Sequence, residues 1–201
     1  VYEALVATMG LCGTRPGETM AVRMKDLELS ERSGWLSVGR TQRAIAARYL
    51  DEDDDPEYGP LKGLDTDDCR SVPVPSVLVP ILRHHIDTYR ADAAPDDLLF
   101  VSSSGQKIDS SHFSKVYWRP AVEALFPEDS PLRRLRRHDL RHAACSAWLN
   151  AQVPLKLACQ WSGHSQLSVF LDVYQGIMPG AEAAGIEAIE RYLATMLNSP
   201  V

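Results

Sequence analysis

One tyrosine, two histidines and two arginines of this chain are of the types that phosphoryl transfer without a metal would use. They fall in three clusters: Gly13-Thr14-Arg15-Pro16-Gly17-Glu18, His138-Asp139-Leu140-Arg141, and Gly163-His164-Ser165 with Tyr174 ten residues after His164. A phenol oxygen can attack phosphorus as a nucleophile. Guanidinium groups grip the non-bridging oxygens bidentately and neutralise their charge. Free tyrosine has a pKa of about 10, so attack at neutral pH needs a proton acceptor, and imidazole is suited to that task.

Each residue alone has a plainer reading. Arg15 is an arginine at a helix start and His164 a cap or a packed ring. Tyr174 is a half-buried aromatic, and His138 with Arg141 could belong to a solvated basic face. His138 and His142 also have the i, i+4 spacing of a helical zinc pair, but Asp139 stands where a metalloprotease needs Glu, and Arg141 would place a fixed cation beside the metal. His142 is then a structural partner. At about 100° per residue, Leu140, Ala143, Ala144, Ala147 and Trp148 form the expected core stripe of this helix. His138 and Arg141, about 60° apart, are expected to face out of the core together.

The elements that must position these groups follow from periodicity and breakers. An apolar run near 2–11 reads as a helix broken at Gly13. Pro16 opens a second helix, expected through about Met24, with Glu18 in its first turn where a carboxylate suits the dipole. Leu27 to Leu29 and Trp35 to Val38 predict a hairpin, and Ser71-Val72-Pro73-Val74-Pro75 a short edge strand whose prolines cannot donate to a central ladder. Helices are predicted from Val77 to about Tyr89, Ser110 to about Leu125, and near 138–150, 154–161, 165–174 and 181–197. The fold class is α+β, mostly helical with a small three-stranded antiparallel sheet in one compact domain.

The bulk properties fit a globule of 201 residues, 45% hydrophobic and 24% charged. There is no run long enough to span a membrane, which predicts a cytoplasmic protein. Cys12, Cys69, Cys145 and Cys159 show no metal or disulfide spacing and are expected as reduced thiols. The net charge of −6 is concentrated: Asp51 to Asp68 carries nine acids against Lys62 alone, leaving +2 for the remainder. That stretch has too little apolar surface to pack and is expected to be a mobile excursion from the sheet. Conversely, Arg133, Arg134, Arg136, Arg137 and Arg141 lie within nine residues. A local positive field therefore abuts His138.

The order and spacing of these clusters resemble the catalytic domain of the tyrosine recombinases, the phage integrase family, over nearly the whole chain. Gly-Thr-Arg-Pro-Gly-Glu is similar to the family's Gly-Leu-Arg-x-x-Glu motif. Gly59-Pro60-Leu61-Lys62 followed by Arg70-Ser71-Val72-Pro73 resembles its Pro-Lys-x and Arg-x-Val-Pro pattern. The resemblance implies a catalytic set of Arg15, Lys62, His138, Arg141, His164 and Tyr174 that cuts and rejoins double-stranded DNA through a 3′-phosphotyrosyl link, with no cofactor and no metal. It implies a homo-oligomer, a tetramer on DNA, with the free chain monomeric. An apolar stripe of Ile186, Ile189, Leu193 and Met196/Leu197 is expected to dock on a neighbouring protomer. The chain is read as one catalytic domain, 1–201, of a longer protein, without the family's amino-terminal domain. A type IB topoisomerase, a catalytically silent DNA-binding relative and a zinc hydrolase are the alternatives.

Overall fold

The computed structural model describes residues 1–43, 55, 57–61, 68–174, 186–187 and 189–191, with the side chains of Val169 and of 172–174 outside the description. The first helix, α1 (Glu3–Cys12), buries Ala4, Leu5, Thr8, Met9 and Cys12 and stops where Gly13 turns left-handed at φ 60°. A β-carbon there would strike the Trp148 ring at 2.7 Å, so both conformation and space require glycine.

Pro16 does open a helix, but α2 (Pro16–Thr19) is a single turn. The expected continuation to Met24 is replaced by an extended stretch in which Leu99 donates its N–H to the Val22 carbonyl at 2.8 Å and Arg23 bridges Leu98. Tertiary pairing there overrides local helix preference.

The expected hairpin and edge strand form β1 (Leu27–Leu29), β2 (Gly34–Val38) and, later in the chain, Arg70–Val74, in an antiparallel sheet with β2 at its centre. Alternation puts Leu36, Val38, Val72 and Val74 into the core while Trp35 stays out. Pro73 sits opposite Trp35 on the edge strand, as its missing N–H demands.

A second, unforeseen ribbon pairs β3 (Arg40–Gln42) with β4 (Tyr58–Pro60). Its residues are too polar to show a strand period. It is held by the Arg40 guanidinium stacked 4.4 Å over the Tyr58 ring and by Arg43 Nε donating to the Tyr58 carbonyl at 2.8 Å. The acidic stretch is thus not an unpacked excursion at Tyr58 to Leu61, where Leu61 is 3% exposed. The remainder of its expected mobility, and Lys62 itself, lie outside the described residues.

After β5 (Arg70–Val74) comes α3 (Val79–Tyr89), whose His85 is buried with Nε2 2.9 Å from the Leu99 carbonyl. The run expected over 110–125 is helical throughout but widened in its middle: α4 (Ser110–Phe113), a π-type turn (Ser114–Trp118), then α5 (Arg119–Leu125). Pro120 has no N–H for the carbonyl four residues back, and its ring crowds that carbonyl, which accounts for the wide turn.

Three further α-helices follow among the described residues: α6 (Arg137–Asn150), α7 (Leu155–Ser162) and α8 (Leu167–Tyr174). α1, the three-stranded sheet and α3 enclose the main core, in which Leu5, Met9, Leu36, Leu78 and Leu82 are nearly or fully inaccessible. Cys145, Leu149, Ala158, Cys159 and Phe170 form a second core between α6, α7 and α8. Burying a side chain such as Phe170 contributes about 1.5–3 kcal/mol, and this one anchors α8 four residues before Tyr174.

Cys12, Cys145 and Cys159 are buried free thiols and Cys69 is exposed. The terminal helix expected over 181–197 lies largely outside the described residues; Ile186 and Ile189, which are described, are 57% and 61% exposed. Among the described residues no helix is long and apolar enough to cross a membrane.

Candidate active site

The site is organised around a carboxylate. Glu18, 1% exposed, accepts the Arg15 backbone N–H at 2.8 Å and Arg15 Nη1 at 2.7 Å. From the other side Arg70 donates Nη2 at 2.6 Å and Nη1 at 3.2 Å, a bidentate fork. Burial alone would raise the Glu18 pKa, but the Arg70 and Arg15 guanidiniums outweigh it and hold the carboxyl below its ordinary value. Glu18 is therefore ionised, and its task is to fix two cations. The sequence placed it as a favourable first-turn residue and as the last position of the Arg15 motif, outside the catalytic set.

Arg70 was absent from the expected catalytic set, although it stands in the Arg-x-Val-Pro pattern. Its signal was period two: residues 70, 72 and 74 share one face of β5, and that face is the core face. With its side chain 9% exposed, Arg70 also donates Nε to the Trp161 carbonyl at 2.9 Å. Its guanidinium packs flat against Gly163, where a β-carbon would approach three of its atoms at 2.9 Å. Gly163 is left-handed at φ 68° and ends α7. Arg70 thus ties the sheet to the turn that carries His164.

Arg141 corrects the helical-wheel expectation. It does not face out beside His138 but is 1% exposed, on the buried row of α6 with Ala144, Cys145 and Leu149. Ala143 and Ala147, expected in the core, are exposed. The true stripe is shifted round the helix because α6 packs on two sides. Leu140, Ala144 and Trp148 meet α1 at Gly10 and Gly13, and Cys145 and Leu149 meet the second core. Alanine weights neither face strongly, so the sequence alone misplaced the stripe.

Arg141 Nη1 donates to the Gly13 carbonyl at 2.9 Å, while Nη2 is buried without a hydrogen-bond partner among the described residues. Burial first, then the Arg15 charge, push its pKa down to about 10, which leaves it cationic at neutral pH. A buried guanidinium with an unspent donor and like charges beside it is costly unless an anion completes it.

His164 follows the α7 cap, its Nδ1 2.7 Å from Ser162 Oγ and its ring edge-on to Phe170 with centroids 5.3 Å apart. Burial, then Arg141 and Arg15, push its pKa down to about 4, so the ring is neutral at physiological pH. Arg15 Nη2 reaches the neighbouring Gly163 carbonyl at 3.4 Å. Arg15, Arg70, Arg141 and His164 are therefore one electrostatic cluster.

His138, at the exposed start of α6, belongs to its rim, with its pKa lowered by burial, then by His142, Arg141 and Arg15. Its ring meets His142 edge-on at 5.1 Å. Among the described residues no three His, Cys, Asp or Glu side chains are grouped to hold a metal ion. Of the six expected catalytic residues, the structure brings together Arg15, His138, Arg141 and His164. It places the Tyr174 backbone at the end of α8, while the Tyr174 side chain and Lys62 lie outside the description.

Comparison with known proteins places this arrangement. The chain is 24% identical over 189 residues to a tyrosine recombinase XerC-like protein of Caldanaerobacter subterraneus subsp. tengcongensis, covering 88% of this chain and 46% of the relative. It is 27% identical over 161 residues to a probable integrase/recombinase protein of Methanocaldococcus jannaschii, covering 79% and 47%. The chain thus spans about half the length of these curated relatives. The same fold is found in the Tn1549 transposon integrase in complex with circular intermediate DNA, at TM-score 0.68, 17% identity and coverage of 94% and 59%. It is found also in XerA recombinase, at TM-score 0.60, 19% identity and coverage of 98% and 58%. The model of the Phage integrase family matches residues 1–177, and with its fold shared by tyrosine recombinases, this chain belongs to that family.

Proposed function

We propose that residues 1–201 are the catalytic domain of a site-specific tyrosine recombinase that cuts and rejoins double-stranded DNA. The observation that carries this reading is the cluster of Arg15, Arg141 and neutral His164, with Arg141 Nη2 buried and unpartnered among the described residues. Such a site is short of one compact anion with several acceptor oxygens, and a phosphodiester supplies it. Two of the structures sharing the fold are described as XerH site-specific recombinase bound to difH substrate and the Tn1549 integrase with circular intermediate DNA.

In this mechanism the Tyr174 oxygen attacks phosphorus in line and the bond from phosphorus to the 5′ oxygen breaks. The phenol proton passes to His138, whose lowered pKa keeps it neutral and able to accept. Lys62 gives its proton to the departing 5′ oxygen. Arg15 and Arg141 hold the non-bridging oxygens, and His164 donates a further hydrogen bond. The phosphotyrosyl bond keeps the phosphodiester's energy, and attack by a second strand's 5′-hydroxyl reverses the step. The relatives' greater length is in keeping with a further DNA-clamping domain in the whole protein, and strand exchange is proposed to take place in a tetramer on DNA.

Covalent capture on a nicked suicide duplex tests the proposal. Wild type should accumulate a tyrosine-linked product and Tyr174→Phe none, with DNA affinity changed less than about twofold. An adduct that survives in Tyr174→Phe, or maps to Tyr117 or Tyr192, removes the assignment. Relaxation of supercoils at undefined sites would favour the topoisomerase chemistry instead.

A further inference from the structure

A second cleft opens beside the site, walled by Pro16 and His138 on the near side and by Ser114, Trp118, Arg119, Leu135, Arg136 and Arg137 beyond, with a volume of about 330 Å³. Pro16 follows Arg15 directly, and His138 belongs to the site's own rim. A ligand strand leaving Arg15 and His138 therefore enters this cleft next. Three guanidiniums line it and no carboxylate does.

The three arginines are not equally satisfied. Arg119 pairs with Glu123 at 2.8 Å at an exposed position where such a pair is weak and readily exchanged, and Arg136 is held by Asp139 through Nη2 at 2.9 Å and Nε at 3.3 Å. Arg137 is half-buried. Its Nη2 donates to Ser110 Oγ at 3.1 Å, its guanidinium lies 5.7 Å from the centre of the Phe113 ring, and its Nη1 is buried with no hydrogen-bond partner among the described residues. Among the described residues no carboxylate neutralises it. The opposite wall is rigid, because Trp118 Nε1 donates to the Leu135 carbonyl at 3.0 Å.

We infer that this cleft is a second phosphodiester site, in which Arg137, assisted by Arg119 and Arg136, holds a DNA phosphate flanking the one held by Arg15 and Arg141. The inference rests on the recombinase reading for its choice of DNA. Along one strand a phosphate recurs about every 3.4 Å of helix axis, so a strand seated in the site must place neighbours within reach of adjoining cations. The cleft admits a phosphate with its sugar and not a duplex, so it grips one strand. Arg137 adds no chemistry at phosphorus; it sets the register in which the strand lies, and is a positioning residue.

Two measurements on the full chain test this, with Arg137→Gln, Arg137→Lys and the half-exposed Arg119→Gln. The first is binding to a random-sequence duplex over a salt series. Arg137→Gln should flatten the log–log slope by about one, Arg137→Lys should restore most of it, and Arg119→Gln should flatten it by less. The second is covalent capture on suicide duplexes carrying a single neutral methylphosphonate at each phosphate flanking the scissile one. One flanking position should slow wild type about tenfold and Arg137→Gln less than about twofold further.

If every methylphosphonate slows Arg137→Gln as it slows wild type, and its salt slope is unchanged in a variant that melts like wild type, the cleft is no phosphate site and the recombinase reading stands. If Arg137→Gln does not fold, unchanged slope and interference in Arg119→Gln overturn the proposal in the same way. If wild type forms no adduct on any duplex yet Arg137 and Arg119 still set the salt slope, the cleft stands and the recombinase reading falls.

Discussion

Two groups of arginines in this chain can be set side by side. Arg15, Arg70 and Arg141 come from the cap of a one-turn helix, an edge strand and a long helix, spread over more than a hundred residues of chain, and meet around buried Glu18 and the Gly13 and Gly163 carbonyls. Arg133, Arg134, Arg136 and Arg137 are neighbours in sequence, and those whose bonds are resolved take different partners. Arg133 caps the end of α5 through the Glu123 and Phe126 carbonyls, Arg136 pairs locally with Asp139, and Arg137 turns toward Ser110. Sequence density marks the second group, yet the first holds the costlier electrostatics. Charge that is buried and fixed is preorganised for one anion, whereas charge that is exposed attracts a polyanion and is screened by salt.

The comparison predicts opposite behaviour on substitution. Arg141→Ala should lose on the order of 10²–10³ in the rate of covalent capture, the cost of removing one preorganised donor. Arg141→Lys should rescue little, because a point charge cannot both hold the Gly13 carbonyl and present the planar fork. Single-turnover rates at saturating DNA check this, and wild-type rates in Arg141→Ala would put both arginine groups on the same footing.

Glu18→Gln should be next in effect. It leaves Arg15 and Arg70 facing one another without a counterion, at a cost on the order of 3–5 kcal/mol for a broken buried pair. The Glu18 pKa is lower folded than unfolded, so its contribution is present above the unfolded value of about 4.3 and is lost as pH falls through the folded one. Urea unfolding at pH 7 and in the acid range should therefore show wild type losing stability at low pH that Glu18→Gln has already lost. Equal acid sensitivity in both would mean that the carboxylate is not what holds the group together.

His164 sharpens the contrast by titration. Its pKa is about 4 in the fold against about 6.5 unfolded, so the unfolded chain binds its proton first. Stability from this group is complete above about pH 6.5 and declines as pH falls toward 4. The NMR ring shifts of His164 should stay those of a neutral imidazole across pH 5 to 8. Arg141→Gln should raise its pKa, whereas Arg134→Gln should not move it.

The smallest effect is expected in the second group. Arg133→Gln removes bonds to two carbonyls and should cost about 1 kcal/mol, leaving the rate of bound complex within about twofold. A loss as large as that of Arg141→Ala would erase the distinction drawn here.

Much of this protein was legible from local rules. Gly13 and Pro16 punctuate the chain because one turns left-handed and the other lacks an N–H, and the sheet strands showed their period and their edge through Pro73 and Pro75. The helices between Val79 and Tyr174 appeared at nearly their predicted bounds. Local rules failed where a residue's environment comes from distant chain. β3 and β4 carry no apolar alternation and exist through each other and through α2. The continuation of α2 was lost to pairing with Leu98 and Leu99.

The sequence by itself determined the family, the clusters that could carry phosphoryl transfer and the elements that bear them, since these depend on residue type, spacing and backbone preference within a few turns. Only the tertiary structure decided that Arg141 lies inside the molecule. It alone set Glu18 between Arg15 and Arg70 and tied Arg70 to the His164 turn. Burial and the fixing of one charge by another depend on which surfaces meet across 52 to 148 residues of chain, and a periodicity read along one helix or strand carries no record of that meeting.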